Sequence, residues 1–292
     1  MIRCLLLSLL LLLPATINAA ELPTLLQFAD SLAANNDHYR AITEYKRFLF
    51  MHPESPLVPQ TKLAIATSLV AGKRWKQADS SLEDLIVSHP RSPEASKARL
   101  IYADTAFERG EFGLARERYR TLAKIHTDQE TLDYTNFRIG WTFLEQDKPQ
   151  KAETHFNLLS LQHKEQLLGD LEAYQALPQK SPRVAGSLSA ILPGAGQVYT
   201  GRYRQAALSF LLNGAFILGS IEAFNDNNYA TGSILLFFEL GWYGGNIYNA
   251  VNNAHKFNQR TKHNYRQGMR SRLNLQVGIL KHNPLITLNY KF

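Results

Sequence analysis

Alanine returns every 37 residues through the first half of this chain, at Ala41, Ala78, Ala115 and Ala152. Four residues beyond each stand Tyr45, Leu82, Tyr119 and Phe156, and seven beyond stand Phe48, Leu85, Leu122 and Leu159. Upstream, Phe28 with Ala29, Ile65 with Ala66, Tyr102 with Ala103 and Ile139 with Gly140 hold the same phase. Large and small apolar residues three and four apart line one face of a helix. Small residues let paired helices approach, and large ones fill the space between them. A helical hairpin cannot bury such a face alone, so a fixed period of this length predicts stacked hairpins, an α-solenoid.

The alanine in the second helix, the aromatic residue four later and the prolines near the repeat end (Pro53 and Pro56, Pro90 and Pro93) resemble the tetratricopeptide repeat. The third and fourth repeats hold Thr127 and Lys164 where Pro53 and Pro90 stand. The unit is longer than the usual ~34 residues. Such longer units resemble periplasmic tetratricopeptide proteins of outer-membrane assembly and Tol-Pal-linked envelope work. The resemblance implies a scaffold whose concave face takes a protein or peptide partner. Inner-helix side chains such as Lys62, Arg99 and Asn136 are then the expected partner-binding residues.

Histidine follows the same period, at His52, His89, His126 and His163. Equivalent positions in stacked helix pairs lie on the order of 10 Å apart. Metal bonds are about 2 Å long, so shared coordination is not expected and these residues read as inter-repeat turns. Trp75 and Trp141 read as packing aromatics.

The second half is organised around residues 193–201, Pro-Gly-Ala-Gly-Gln-Val-Tyr-Thr-Gly. Proline stops the preceding helix and glycine reaches positive φ without steric cost, so Pro193, Gly194, Gly196 and Gly201 predict a tight turn between helices. Gln197 and Tyr199 are placed to hydrogen-bond within it. The spacing matches neither a P-loop nor a dinucleotide-binding turn. Followed by Arg202, Arg204 and an apolar run, the motif resembles the opening of bacterial domains built on a paired transmembrane helix hairpin. That resemblance covers residues 183–258 and implies membrane association.

Two apolar runs follow, Ala206–Phe224 and Thr231–Val251, joined by the polar turn 225–228. Each is long enough to cross a bilayer. Gly241, Gly244 and Gly245 permit close backbone approach. Glu239 interrupts the second run. A carboxylate there is a proton or partner site, or is absorbed by a hydrogen bond to Asn213 or a tyrosine. The hairpin is expected to span, with partial immersion or packing within protein left open. Arg202, Arg204, Lys256, Arg260 and Lys262 flank its open ends while the turn holds only Asp226. If the repeats are periplasmic, that charge placement opposes the positive-inside tendency.

Net charge is +7, and Leu240–Phe292 contributes eight Lys or Arg with no Asp or Glu. A basic segment beside apolar helices favours membrane lipids, and no nucleic-acid-binding motif accompanies it, so no nucleic-acid partner is expected. The single cysteine, Cys4, lies at the start of a stretch that reads as a signal peptide, Arg3 followed by Leu5–Leu13 and then Pro14–Ala20. After cleavage no thiol would remain. Alternating apolar residues from Leu273 to Ile279 and from Pro284 to Phe292 predict a C-terminal β-hairpin.

The expected organisation is therefore mainly α: signal peptide 1–20, tetratricopeptide-like α-solenoid 21–176, linker 177–182, apolar helical hairpin 183–258, and a basic tail with a short β-hairpin over 259–292. No catalytic constellation, cofactor site or metal site is expected. The expected role is a membrane-associated scaffold or adaptor of the cell envelope, binding a protein or peptide through its repeats. The alternative is a small transporter or channel subunit with Glu239 on the pathway. Oligomeric state is not legible.

Overall fold

The computed structural model describes residues 21–160, 164–280 and 283–290. The expected signal peptide and His163 lie outside them. Two compact units meet at Gln146/Asp147.

Among the described residues the first unit is seven helices in sequence: α1 (Glu21–Ala34), α2 (His38–Met51), α3 (Val58–Ala71), α4 (Trp75–Ser88), α5 (Pro93–Glu108), α6 (Phe112–Ile125) and α7 (Gln129–Glu145). Each packs on the next, and α3 also touches α5, as a tetratricopeptide-like solenoid requires. The helix starts are written in the chain. Asp37, Ser92 and Asp128 accept the backbone N–H three residues on, and Pro93 opens α5 where its missing N–H is harmless. The periodic alanines Ala41, Ala78 and Ala115 are buried, as are Tyr45, Leu82, Tyr119, Phe48, Leu85 and Leu122.

The period also governs the backbone. Asn36, Lys73, Gly110 and Asp147, each 37 residues apart, all take positive φ, at 62°, 54°, 75° and 57°. Only glycine adopts this geometry freely, with Asn and Asp next. His52, His89 and His126 sit at the C-caps of α2, α4 and α6, their N–H groups returning to Phe48, Leu85 and Leu122.

Between helices the first unit carries buried charge. The Asp104 carboxylate accepts from Tyr119, from Tyr134 at 2.7 Å and from Arg138 Nε at 3.1 Å. The Arg138 guanidinium lies 4.0 Å from the Phe107 ring centroid. Burial alone would lower the Arg138 group, but Asp104 and the tyrosines outweigh it and hold it above its ordinary value. Burial first, and then Asp104, raises both tyrosines. One repeat earlier, Asp79 accepts from Arg109 at 2.9 Å and from Arg118 at 3.2 Å.

The second unit holds α8 (Pro149–Phe156), α9 (Lys164–Gln175), α10 (Pro182–Ile191), α11 (Ala195–Tyr199), α12 (Tyr203–Asn225) and α13 (Tyr229–Arg272). In the segment 177–182 Asn258 brackets Lys180, accepting from its N–H at 2.7 Å and donating to its carbonyl at 2.9 Å. The basic segment after residue 258 continues α13 to Arg272. Its cations are held by α9 and by Asp147. Lys262 reaches Asp147 at 2.7 Å, Arg266 donates to the Tyr174 hydroxyl at 2.9 Å, and Arg272 reaches Asp170 at 2.7 Å. Burial and the bond to Asp147 push the Tyr174 hydroxyl up to about 12.

Asp104→Ala removes the partner of a buried guanidinium, and breaking a buried pair on one side costs about 3–5 kcal/mol. Denaturant unfolding of the full chain is expected to show a loss of that order. Asp37→Asn, which weakens the exposed pair of Asp37 with Arg40, should cost under about 1 kcal/mol.

Candidate functional site

The residues of the 193–201 motif do separate jobs at one packing node. Leu192 leaves the helical conformation, and Gly194 follows at φ 92° as the cap of α11. A Cβ on Gly194 would run into the Ala206 carbonyl. One on Gly196 would run into the Ala185 carbonyl and, at 2.7 Å, the Ala250 methyl. The motif's middle glycine therefore sets how closely α10, α11 and α13 approach. Gly201 is needed for conformation alone, with φ 75° and open space around it.

Gln197 is fully buried at the centre. Its Oε1 accepts from the Ser189 hydroxyl at 2.9 Å, and its Nε2 donates to the Asn246 Oδ1 at 2.7 Å. Ser189 Oγ also accepts the Gly196 N–H at 3.0 Å. One side chain thus links α10, α11 and α13, with every polar atom used, which a buried amide requires. Tyr199 reaches the other way. Its hydroxyl accepts the Ser181 N–H at 3.1 Å, and the Lys180 ammonium lies 4.7 Å from its ring centroid.

Beyond this node α12 and α13 form an antiparallel hairpin whose distribution of polarity is reversed. Asn213, Ser220, Glu239, Asn246 and Asn253 are buried, Asn213 to 2 % exposure and Glu239 to 4 %. Leu211, Leu218 and Phe237 are 66 %, 69 % and 74 % exposed. Helix α12, 23 residues long, has the length and hydropathy of a membrane-crossing helix and buries 11 % of its most apolar window. It is the one such helix among the described residues.

A groove of about 870 Å³ runs between α12 and α13, lined by Ser209, Asn213, Gly241, Trp242, Gly245 and Asn246 among others. Nothing lies within 4 Å of a Cβ placed on Gly241, Gly244 or Gly245. The hydrogen bond expected between Glu239 and Asn213 or a tyrosine does not form. The Asn213 amide instead donates back to the Ser209 carbonyl at 2.6 Å. The Asn213 Oδ1 and both Glu239 carboxylate oxygens are buried without a partner among the described residues.

In the repeats, the three expected partner-binding residues stand on successive first helices of the pairs: Lys62 on α3, Arg99 on α5 and Asn136 on α7. Lys62 is spent on Asp84 at 2.9 Å and on Ser88, and Arg99 donates to the Pro90 carbonyl at 3.0 Å. Arg99 also lines a cleft of about 330 Å³ with Glu83, Tyr102, Leu114, Glu117 and Arg118. No group of three or more potential metal ligands occurs among the described residues.

Reading the sequence singled out Gln197 and Tyr199 but missed Ser189, Ser181 and Asn258, to which they and Lys180 bond. Asn246, Asn249 and Asn253 carry a visible signal, since offsets of three and four put them on one face of α13. Asn253 donates to Gln205 at 2.9 Å and to Asn249 at 2.8 Å, tying the open end of the hairpin.

Residues 63–130 match the family model of the tetratricopeptide repeat. No curated protein matches the chain. A tetratricopeptide repeat protein from Parabacteroides merdae ATCC 43184 is similar at 15 % identity and a TM-score of 0.43, over 82 % of this chain and 99 % of that one. A structure from the functional characterisation of Pseudomonas aeruginosa pilF is similar at 16 % identity and a TM-score of 0.38, over 74 % and 89 %. The fold assignment rests on the repeat match and on the helical pairs themselves. Tetratricopeptide arrays are scaffolds for protein–protein contact, and that much follows for this chain.

Gly196→Ala forces a methyl against backbone and is expected to lower the melting temperature of the purified protein, overpacking of this kind costing about 1–3 kcal/mol. Gly201→Asn, at an open left-handed position, should melt within about 0.5 kcal/mol of the parent. Equal melting temperatures for the two variants would remove the packing role assigned to Gly196.

Proposed function

We propose that this protein is a membrane-held scaffold of the bacterial cell envelope. Its tetratricopeptide repeats recruit a protein or peptide partner from the periplasmic side, and the α12–α13 hairpin anchors them. The observation that carries the anchor is the reversed polarity of the hairpin. In water, exposing leucines and phenylalanines while burying three asparagines and a glutamate is unfavourable twice over. In hydrocarbon the same arrangement is favourable, because lipid takes the apolar surface and the polar groups turn inward. Helix α12 is about 35 Å long at 1.5 Å per residue, against a hydrocarbon core of about 30 Å.

The partner face is assigned to the first helices of the repeat pairs, around Lys62, Arg99 and Asn136, by the resemblance to tetratricopeptide scaffolds. A cleaved signal peptide over residues 1–20 and a β-hairpin over 273–292 belong to the same proposal. So does the absence of a catalytic role. Glu239 supports a second reading, a small transporter or channel subunit. Its two carboxylate oxygens are buried without a partner among the described residues, and intramembrane carboxyl groups mark proton and ion pathways.

Alkaline carbonate extraction tests the anchor. The parent chain stays with the membrane. Leu211→Asp combined with Leu218→Asp is expected to release it, since each central aspartate opposes insertion by about 2.5–3.5 kcal/mol. Asn213→Leu, on the buried side, leaves it bound. Release of the parent chain itself would reject the anchor. For the scaffold, a photo-crosslinking residue at Arg99 or Asn136 captures a protein. Capture from the hairpin position Leu218 but from neither repeat position would reverse the roles of the two parts.

A further inference from the structure

Charge in the second unit is segregated along the hairpin. No Asp or Glu occurs between Glu172 and Glu222 or after Glu239, and no Lys or Arg occurs between Arg204 and Lys256. The turn end therefore holds only acids, Glu222 and Asp226, and the open end only cations. Some of those cations are spent within the fold: Lys262 and Arg272 pair with Asp147 and Asp170, and Lys180 lies over Tyr199.

Five are not. Arg183 on α10, Arg202 and Arg204 where α11 gives way to α12, and Lys256 and Arg260 on α13 have no side-chain partner among the described residues. All but the half-buried Arg202 are exposed. The packing brings them to one level. Gly186 lies against Val251, Asn253 donates to Gln205, and Asn258 brackets Lys180. The exposed apolar surface ends at this level, with Tyr203 and Tyr248 standing 69 % and 73 % exposed beside it. Tyrosines at the edge of an apolar surface mark a bilayer interface. Unpaired cations just outside it face the phosphates of the headgroup layer.

We propose that Arg183, Arg202, Arg204, Lys256 and Arg260 form a collar that binds anionic phospholipid headgroups. The collar selects those lipids around the hairpin and fixes its open end at a leaflet rich in them. The inference rests on the membrane reading above and adds the lipid class and the residues that choose it. Five cations with no acid among them leave the site without an internal counter-ion, so the phosphates of anionic lipids supply it. The polar turn at the far end, with Glu222 and Asp226, offers such lipids nothing.

The test uses the full chain in vesicles of phosphatidylcholine with phosphatidylglycerol, one lipid or the other carrying brominated acyl chains. The signal is the quenching that is lost in a Trp242→Phe variant, so that Trp75 and Trp141 do not contribute. Both brominated lipids are expected to quench Trp242. Phosphatidylglycerol should be favoured at least about fivefold, which is what one basic residue at an anionic surface contributes. The preference should fall with added salt. Replacing all five cations with Gln should abolish it with helix content unchanged, and Lys at the four Arg positions should retain it. Equal quenching by the two lipids in the parent chain overturns the collar and leaves the anchor standing. Quenching by neither overturns the anchor, and the collar with it.

Discussion

The second unit depends on one buried amide. Gln197 has no exposed surface, and its side chain joins Ser189 of α10 to Asn246 of α13 across α11. A buried amide left unpaired is costly, so these three helices are fixed in register by the need to satisfy it. Gly196 makes the approach close enough for those bonds to form, and Gly194 turns the chain into α11. From that node α12 and α13 leave as an antiparallel pair. Exposed leucines and phenylalanines on their outer surfaces need no aqueous core, because the node and the polar seam supply the internal contacts.

The first unit solves a different problem. Its helices are amphipathic and individually short, and they gain stability by stacking. Apolar contacts at the periodic alanines are supplemented by carboxylates that reach between neighbouring repeats. Asp104 gathers Tyr119, Tyr134 and Arg138, and Asp79 gathers Arg109 and Arg118. Such pairs contribute specificity of register where alanine-lined faces alone would allow sliding. The price is rigidity, since a half-satisfied network is worse than none.

Much of this was legible in the chain because it depends on spacing. The 37-residue period located the repeats, and the glycines of 193–201 located the turn. The same period would have revealed the left-handed turn residues, but Asn36, Lys73, Gly110 and Asp147 share no chemical type, so only their phase links them. The extent of α13 was not legible. Lys256 to Arg272 reads as a solvated basic run, and its partners Asp147, Asp170 and Tyr174 lie about a hundred residues away in sequence. Glu239 was expected to find a hydrogen bond. Periodicity places a residue on a face, but it does not say which atoms on the opposite helix are within reach.

In the proposed topology the hairpin crosses a membrane with its turn on the side opposite the repeats. The direct test places one cysteine at Asn227, in the turn, or at Lys76, exposed on α4, and treats sealed spheroplasts with a membrane-impermeant maleimide. A spanning hairpin predicts that the Lys76→Cys chain is labelled at once and that the Asn227→Cys chain is labelled only after the membrane is broken. Prompt labelling of both would contradict it, placing the turn and the repeats on the same side.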